Sequence, residues 1–384
     1  MIPIDVLIVG GGLQGLLLLD EFAASGRSCA LVTQSELGRG QTLHSHGLLN
    51  TGFGFAGAAL RTTRDQLVVP FLQARGIQPY GDWFLLMPDD VEVGESASAE
   101  NLPAGFEAGG THVRRLHELN FPRRGLIERL GRDHLNRIVR GRIVGVHGAG
   151  TIETVLVELE MSGANLLFAP AVVIAATGTG TKRFLGSLAV GAPQLSKIRH
   201  RRVHIICVRG PAGVLPDASL LSLTHGLNVV AHANREGVTW YSTPFQDEDP
   251  NFDEAPDDAE ADIDRDVVAD GLQRLQRLFP PIATRNELRF TAYAGFRQDV
   301  GEIVGTPACE LVDGTTNLLM ALPSLAVNAW SNAKIAPEIV DAVAPRRGGQ
   351  PEIPGAGVGV GVGRVREDRS GVRWSTWRQM SQGH

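Results

Sequence analysis

The pattern of apolar and polar positions is clearest at the amino terminus. Residues 5–9 and 28–33 are short apolar runs rich in β-branched residues, which are typical of strands buried on both faces. Between them, residues 16–24 follow a helical pattern that ends at Ser25-Gly26. The order strand, helix, strand predicts a βαβ unit, which is the opening of an α/β fold.

Several later segments alternate between apolar and polar positions, as half-buried strands do. Residues 264–279 instead place apolar side chains on one helical face and stop at Pro280-Pro281. We expect the strands to form a second, mostly antiparallel domain inserted between segments of the first. These strand-like segments are Asp82 to Met87, Arg202 to Val208, Asn228 to His232 and Val238 to Ser242.

The first predicted strand runs directly into a glycine-rich turn. Gly10, Gly12 and Gly15 satisfy GxGxxG at the start of the predicted helix. In this context the first glycine allows the turn, the second leaves room for a pyrophosphate, and the third lets helix and strand approach closely. The helix N-terminus then offers free N–H groups to the phosphates. The sequence therefore predicts a Rossmann-like dinucleotide-binding domain. Thr33 departs from the pattern, because this fold carries an acid there for the ribose.

Composition narrows the class of protein. The 384 residues are 43% hydrophobic and 20% charged, as in globular proteins. No apolar run approaches the length of a membrane span, and no secretory signal precedes residue 5, so we expect a cytoplasmic protein. Three separated cysteines and histidines without ligand spacing argue against disulfides and metal sites. The sequence has no basic stripe interleaved with aromatic residues, so we do not expect nucleic-acid binding.

Two segments differ in charge from the rest. Residues 247–270 hold twelve acids and one base, which indicates a solvated loop or, less simply, a docking surface for a basic partner. Residues 345–384 contain a stretch in which every second residue is glycine, followed by scattered arginines. Their composition predicts a flexible tail, with a contact arm for a partner subunit as the alternative.

The segment from Gly38 to Gly52 resembles the D-amino-acid-oxidase-like FAD-dependent oxidoreductases. Its Gln41-Thr42-x-His44-x-x-Gly47 spacing is most similar to the dimethylglycine dehydrogenase and L-2-hydroxyglutarate dehydrogenase branches. The blocks at 170–178, 278–281 and 294–305 resemble later parts of the same family in order and spacing. The turn before the last helix departs from it, because larger side chains within residues 322–332 replace a Gly-His or glycine-rich turn.

The resemblance implies FAD as the cofactor and a set of contacts to it. No second GxGxxG is present for NAD(P)H. The implied cofactor-binding residues are Gly10, Gly12, Leu13, Gln14, Gly15, Thr33, Gln34, Gly40, Gln41, Thr42, His44, Ile143, Ala176, Thr177, Gly178, Val327, Asn328, Ala329 and Trp330.

The resemblance also implies catalytic residues. Arg297 matches by position the family arginine that clamps a substrate carboxylate, a task suited to the guanidinium fork. The alternative is an ion pair with Asp299 or with the acidic segment. His44 matches a position that carries the flavin covalently in one branch; flavin contact, a role as base and a structural role stay open, as they do for His46.

These observations predict an FAD-dependent oxidase or dehydrogenase. It would oxidise a C–N or C–OH bond of a small, carboxylate-bearing substrate by hydride transfer to flavin N5, with oxygen or another carrier as acceptor. The alternatives are a catalytically silent flavin-binding subunit of a hetero-oligomer and an NAD(P)-dependent enzyme. The predicted FAD-binding domain comprises residues 1–75, 116–190 and 293–344, and the substrate domain residues 76–115 and 191–292.

Overall fold

The computed structural model describes residues 1–53, 58–89, 92–188, 196, 198–245, 251–252, 263–300, 309–323, 325–368 and 372–381, with the backbone alone at residues 251, 252, 297, 299, 300 and 366. In chain order the strands are β1 (Ile2–Val9), β2 (Cys29–Thr33), β3 (Leu48–Leu49), β4 (Trp83–Met87), β5 (Glu95–Ala97), β6 (His112–Leu116), β7 (Leu119–Asn120), β8 (Ile138–His147), β9 (Thr154–Leu159), β10 (Asn165–Ala175), β11 (Ile198–Pro211), β12 (Ser219–Ser222), β13 (Leu227–Ala233), β14 (Gly237–Pro244), β15 (Asn251–Phe252), β16 (Arg289–Val300), β17 (Cys309–Leu311) and β18 (Leu318–Ala321). The helices are α1 (Leu13–Ala24), α2 (Gln41–His44), α3 (Ala58–Thr63), α4 (Val69–Ala74), α5 (Arg123–Asp133), α6 (Thr181–Ser187), α7 (Arg265–Leu278), α8 (Ala326–Val343) and α9 (Trp377–Ser381).

The first sheet contains the amino-terminal βαβ unit. Its parallel strands lie in the order β8-β2-β1-β10-β18. Strand β9 pairs antiparallel with both β8 and β10, and β17 pairs antiparallel with β18. Strand β1 is buried from Ile4 to its last residue, Val9, as its continuous apolar run predicts. Helix α1 packs its leucines against the sheet and against α8. The predicted strand, helix and strand are all present.

The second sheet is mostly antiparallel. Its order is β15-β11-β14-β13-β12-β4-β6-β5, with β16 paired to β11, and β12 with β4 is a parallel pair. The alternating segments predicted from the sequence form β4, β11, β13 and β14. Helix α7 covers one face of this sheet, and the side chain of Asp264 caps its N-terminus. The predicted fold class, an α/β chain with a Rossmann-like unit and a mostly antiparallel second sheet, is confirmed.

The predicted domain boundaries stay predictions, and strand β16 spans one of them. It pairs with β11 from Arg289 to Val300, on both sides of the boundary expected at residue 293. The reason is that β16 belongs to the antiparallel sheet by its hydrogen bonds while its second half reaches α2 of the other sheet. The acidic segment expected at 247–270 lies mostly outside the described residues.

The segment after α8, expected from composition to be a flexible tail, packs on both sheets where it is described. Leu37 and the glycine-rich stretch exchange backbone hydrogen bonds, with Leu37 N donating to Gly361 O and Gly363 N donating to Leu37 O, both at 2.8 Å. Further along, Ser375 pairs with Phe290 at the start of β16. Within the described ranges, no helix combines the length and apolarity needed to cross a membrane.

Candidate cofactor and substrate site

The glycine turn between β1 and α1 has the geometry its sequence predicts. Gly10 has φ of +120°, and a Cβ atom there would lie 2.3 Å from the carbonyl oxygen of Ala176. A Cβ atom on Gly15 would lie 1.9 Å from the Gly10 carbonyl oxygen. At Gly12 the nearest atom to such a Cβ is Thr42 Oγ1 at 3.4 Å, so this position is open. Gly10 and Gly15 are therefore required by packing, whereas Gly12 leaves space in front of the helix.

A cavity of about 720 Å³ begins at this turn. It lies within the size range of small-molecule and cofactor sites. Of the residues predicted to contact the cofactor, those that line the cavity are Gly10, Gly12, Leu13, Gln14, Thr33, Gln34, Gly40, Gln41, Thr42, His44, Ile143, Ala176, Thr177, Gly178 and Ala329.

The remaining predicted residues lie behind the cavity wall. Val327 and Trp330 belong to the apolar core around α1 and α8, where Trp330 packs edge-on against Phe71. Asn328 is fully buried on the same helix. Gly15 packs on the glycine turn itself, and His46 is likewise outside the cavity lining. The larger residues that replace the family's glycine-rich turn are therefore mainly core residues.

Sequence reasoning missed part of the lining. Part of this lining could have been predicted, because in Rossmann folds the loop after the second strand and the parallel strand beside it border the ligand crevice. The apolar lining residues from distant segments carry no sequence motif that would have indicated them. The missed lining residues are Val9, Gly11, Val32, Ser35, Glu36, Arg39, Ser45, Phe121, Gly141, Arg142, Thr179, Gly180, Arg183, Phe184, Ser187, Phe296, Gln298, Ala321, Pro323, Leu325 and Ala326.

Two candidate blocks that are distant in sequence meet at one end of the cavity. Tyr293 on β16 donates its hydroxyl hydrogen bond to the carbonyl oxygen of His44, at 3.0 Å. A Cβ atom on Gly295 would lie 3.8 Å from the Cβ atom of His44. The backbone of Arg297 continues the same strand opposite Arg201, and its side chain lies outside the described residues. The structure therefore brings together the segments of the predicted catalytic residues.

The backbone at His46 is held from the antiparallel sheet as well. His232 Nε2 donates to the carbonyl oxygen of His46 at 2.6 Å, and the other ring nitrogen is hydrogen-bonded to the Tyr80 hydroxyl. Burial, with Arg123 nearby, lowers the pKa of His232 to about 3. His232 is therefore neutral at physiological pH and acts as a hydrogen-bonding support, a role that spacing alone did not reveal.

A buried charged cluster lies beside these supports. Arg123 is the first residue of α5. A Cβ atom on Gly47 would lie 3.1 Å from methylene carbons of the Arg123 side chain. Its guanidinium lies 4.7 Å from the centroid of the Tyr241 ring, and Tyr241 donates its hydroxyl hydrogen bond to the carboxylate of Glu367. Burial disfavours the Arg123 cation, but Tyr241, Glu367 and Tyr293 outweigh this and raise its pKa. The carboxyl-terminal segment thus supplies a buried counter-charge close to Gly47, next to the segment that carries His44 and His46.

The residues present fit an FAD molecule. Helix α1 begins without a side-chain cap, and Gly12 leaves its N-terminal face open to the cavity, which suits a pyrophosphate. Thr42 Oγ1 accepts a hydrogen bond from Leu13 N at 3.0 Å and so fixes the second lining segment against the first. Among the described residues, no group of three or more His, Cys, Asp and Glu side chains is arranged to hold a metal ion.

Comparison with known proteins agrees with this geometry. No protein-family model matches the sequence. A curated relative, the probable FAD-dependent oxidoreductase of Pseudomonas aeruginosa, is 24% identical over 382 residues, covering 89% of this chain and 90% of the relative.

Solved structures share the fold. The FAD-dependent oxidoreductase of Pseudomonas aeruginosa superposes with a TM-score of 0.72 at 21% identity, covering 95% of this chain and 97% of that one. L-proline dehydrogenase from P. horikoshii gives 0.70 at 11% identity, and glycine oxidase from Geobacillus kaustophilus gives 0.66 at 14% identity. Each of these two covers 90% of this chain and 96% of its own.

The fold and the glycine turn define the class of protein, an oxidoreductase fold built on a dinucleotide-binding βαβ unit. In sequence the chain is similar to a curated FAD-dependent oxidoreductase, and it shares the fold of glycine oxidase and L-proline dehydrogenase. These similarities agree with the resemblance to D-amino-acid-oxidase-like FAD-dependent oxidoreductases found in the sequence. They also bear out the expectation of an enzyme with FAD as its cofactor. The branch within the superfamily stays a prediction.

Proposed function

We propose that this chain oxidises a C–N bond, or a C–OH bond, of a small carboxylate-bearing substrate. The observation that carries the proposal is the continuity of one cavity from the GxGxxG turn to the place where His44 and β16 meet. The names of the structural neighbours favour C–N bonds, because they include glycine oxidase, L-proline dehydrogenase and iminodiacetate oxidase. Bound FAD supplies the hydride acceptor for this chemistry.

The chain's own residues would bind, orient and deprotonate the substrate. His44 lines the cavity, and its imidazole is proposed as the base that accepts a proton from the substrate heteroatom. Tyr293 fixes the backbone of His44 through the 3.0 Å hydrogen bond. Phe121 and Phe296 line the cavity and exclude water from it. From the family resemblance, Arg297 is proposed to pair with the substrate carboxylate.

The test is anaerobic reduction of the reconstituted protein. We expect the visible flavin absorbance to bleach with at least one member of a panel of glycine, sarcosine, proline, iminodiacetate and small 2-hydroxy acids. Bleaching by the isolated chain rejects the alternative of a catalytically silent subunit. Failure of every panel member, with FAD bound, would favour that alternative instead.

Two arginine variants on one strand test the carboxylate clamp. Arg297→Met should retain FAD and raise the substrate concentration needed for bleaching, because it removes the charged fork. Arg289→Met is the matched control, since Arg289 is exposed at the start of β16 and donates to the nearby carbonyls of Asn286 and Leu288. Equal behaviour of the two variants would reject Arg297 as the clamp.

The attachment of the flavin is tested separately. Release of free flavin on denaturation would reject covalent attachment through His44.

A further inference from the structure

The end of β2 is where this fold usually presents an acid to the ribose of the adenosine, and here the residue is Thr33. The hydroxyl of Thr33 is already engaged, because it donates to the carbonyl oxygen of Ser35 at 2.9 Å. The same oxygen packs against the glycine turn, where a Cβ atom on Gly11 would lie only 2.5 Å from it. Thr33 therefore shapes the loop, and its hydroxyl oxygen offers a neutral acceptor where the fold usually has a carboxylate.

The loop that Thr33 shapes leads Glu36 to the same cavity. Residues 33–36 line it consecutively, together with residues 141–143 of β8, which runs parallel to β2 with Thr33 opposite Arg140. This end of the cavity lies beyond the carboxyl end of β2, where the adenosine half of a dinucleotide binds in such sheets. Among the described lining residues, Glu36 supplies the carboxylate.

Glu36 is half-buried and fixed by its backbone, while its carboxylate makes no hydrogen bond or ion pair with any residue that the structure describes. Its carbonyl oxygen accepts from the backbone N–H of Arg39 at 3.2 Å. By contrast, Arg142 in the same lining pairs with Glu158 at 3.0 Å. An ionised carboxylate only accepts hydrogen bonds, so a ligand group at this position has to donate them, as the hydroxyls of a ribose do.

We propose that Glu36 accepts hydrogen bonds from the 2′- and 3′-hydroxyls of the adenosine ribose, in place of an acid at the end of β2. This assignment rests on the proposed function, because it requires FAD in the cavity. It has a consequence for ligand choice. A phosphate on the 2′ oxygen would remove one donor and place negative charge against the carboxylate, so the site should discriminate against 2′-phosphorylated adenosine ligands.

The experiment measures ligand affinity of the full chain freed of flavin, with no turnover involved. The ligands are FAD, ADP-ribose, ADP-ribose 2′-phosphate and FMN, which lacks the adenosine. Glu36→Gln should weaken FAD and ADP-ribose by about 10- to 100-fold, from the loss of charge-assisted hydrogen bonds, and leave FMN unchanged. The preference of the unsubstituted chain for ADP-ribose over its 2′-phosphate should disappear in this variant.

The matched control is Glu128→Gln on α5, whose carboxylate pairs with Arg124 at 2.7 Å outside the cavity lining and should not affect any ligand. Adding Thr33→Asp to Glu36→Gln returns a carboxylate to the end of β2 and should recover affinity for ADP-ribose. If Glu36→Gln leaves FAD affinity unchanged, or weakens FMN equally, the assignment of Glu36 is overturned while FAD binding stands. If the unsubstituted chain binds none of these ligands, the proposed function itself falls.

Discussion

Replacing Glu367 by glutamine removes one charge from the buried cluster and changes its shape little. Glu367 is 2% exposed and Arg123 is 4% exposed, so neither charge is well solvated by water. Both contact Tyr241, which donates to the carboxylate and lies 4.7 Å from the guanidinium by its ring centroid. The substitution therefore leaves the Arg123 cation buried without its counter-charge.

The expected loss of stability has two parts. The Tyr241 hydroxyl exchanges a charged acceptor for a neutral one, which costs about 1 kcal/mol. Removing one partner of a buried charge pair costs about 3–5 kcal/mol when the pair is direct. Arg123 and Glu367 make no direct ion pair in the described structure, and Arg123 keeps its contact with the Tyr241 ring. We therefore expect the second part to be smaller than this range, about 2 kcal/mol, so that the two parts together decrease the free energy of unfolding by about 3 kcal/mol.

Urea denaturation of the flavin-free chain measures this difference through the shift of the midpoint at unchanged slope. Asp368→Asn is the control, since Asp368 is 41% exposed, pairs with Arg209 at 2.8 Å and should contribute less than about 1 kcal/mol. Adding Arg123→Met to Glu367→Gln should recover much of the loss, because the uncompensated cation is gone. Equal, small effects of the two single substitutions would refute the electrostatic reasoning.

Three further predictions concern the supports of the site. Gly12→Ala should fold normally, because its Cβ meets only Thr42 Oγ1 at 3.4 Å, but bind FAD less tightly, whereas Gly125→Ala should not affect binding; equal FAD affinities by fluorescence titration would contradict this. Because the pKa of His232 falls from 6.5 to about 3 on folding, the unfolded chain takes up its proton first, and stability should fall by about 1.4 kcal/mol per pH unit as pH drops below 6.5. His232→Gln should flatten that part of a urea-midpoint profile, and an unchanged slope would reject it. Tyr293→Phe removes the bond to His44 O and should lower stability by about 1 kcal/mol and shift the bound flavin's absorbance spectrum; an identical spectrum would show that this bond does not position the segment.

The parts of the fold that the sequence predicts are those with local causes. The amino-terminal βαβ unit follows from two apolar runs, one helical stretch and two glycines. A Cβ atom on Gly10 would collide with Ala176, and one on Gly15 would collide with Gly10. The antiparallel strands lie where the sequence predicts strands, but β4, β13 and β14 are buried on both faces along most of their length, where alternation predicts one buried face. In the candidate site, the cavity lining at residues 10–14 and 40–44 follows from the same motifs, because a turn and the residues that close it are neighbours in the chain.

The supports of the site were not predictable in this way. The carboxyl-terminal segment looks flexible by composition, yet its order comes from backbone hydrogen bonds to Leu37 and from glycines such as Gly355 and Gly357 at positive φ. Hydrophobic periodicity predicts neither these hydrogen bonds nor these glycine conformations. In the sequence Glu367 is one acid among scattered arginines, and only the folded structure shows that it lies beside Tyr241 and Arg123.

The arrangement of supports indicates where this enzyme can vary without losing its cofactor. The carbonyl oxygens of His44 and His46 both accept hydrogen bonds from side chains of the antiparallel sheet, Tyr293 and His232. The glycine turn between β1 and α1, by contrast, is fixed within the first sheet by packing against Ala176. Because the glycine turn and the segment from His44 to His46 are supported from different sheets, substitutions at Tyr293 on β16 and His232 on β13, which lie outside the cavity lining, should change turnover before they change FAD affinity. A search for the substrate is therefore best combined with variants of those strands.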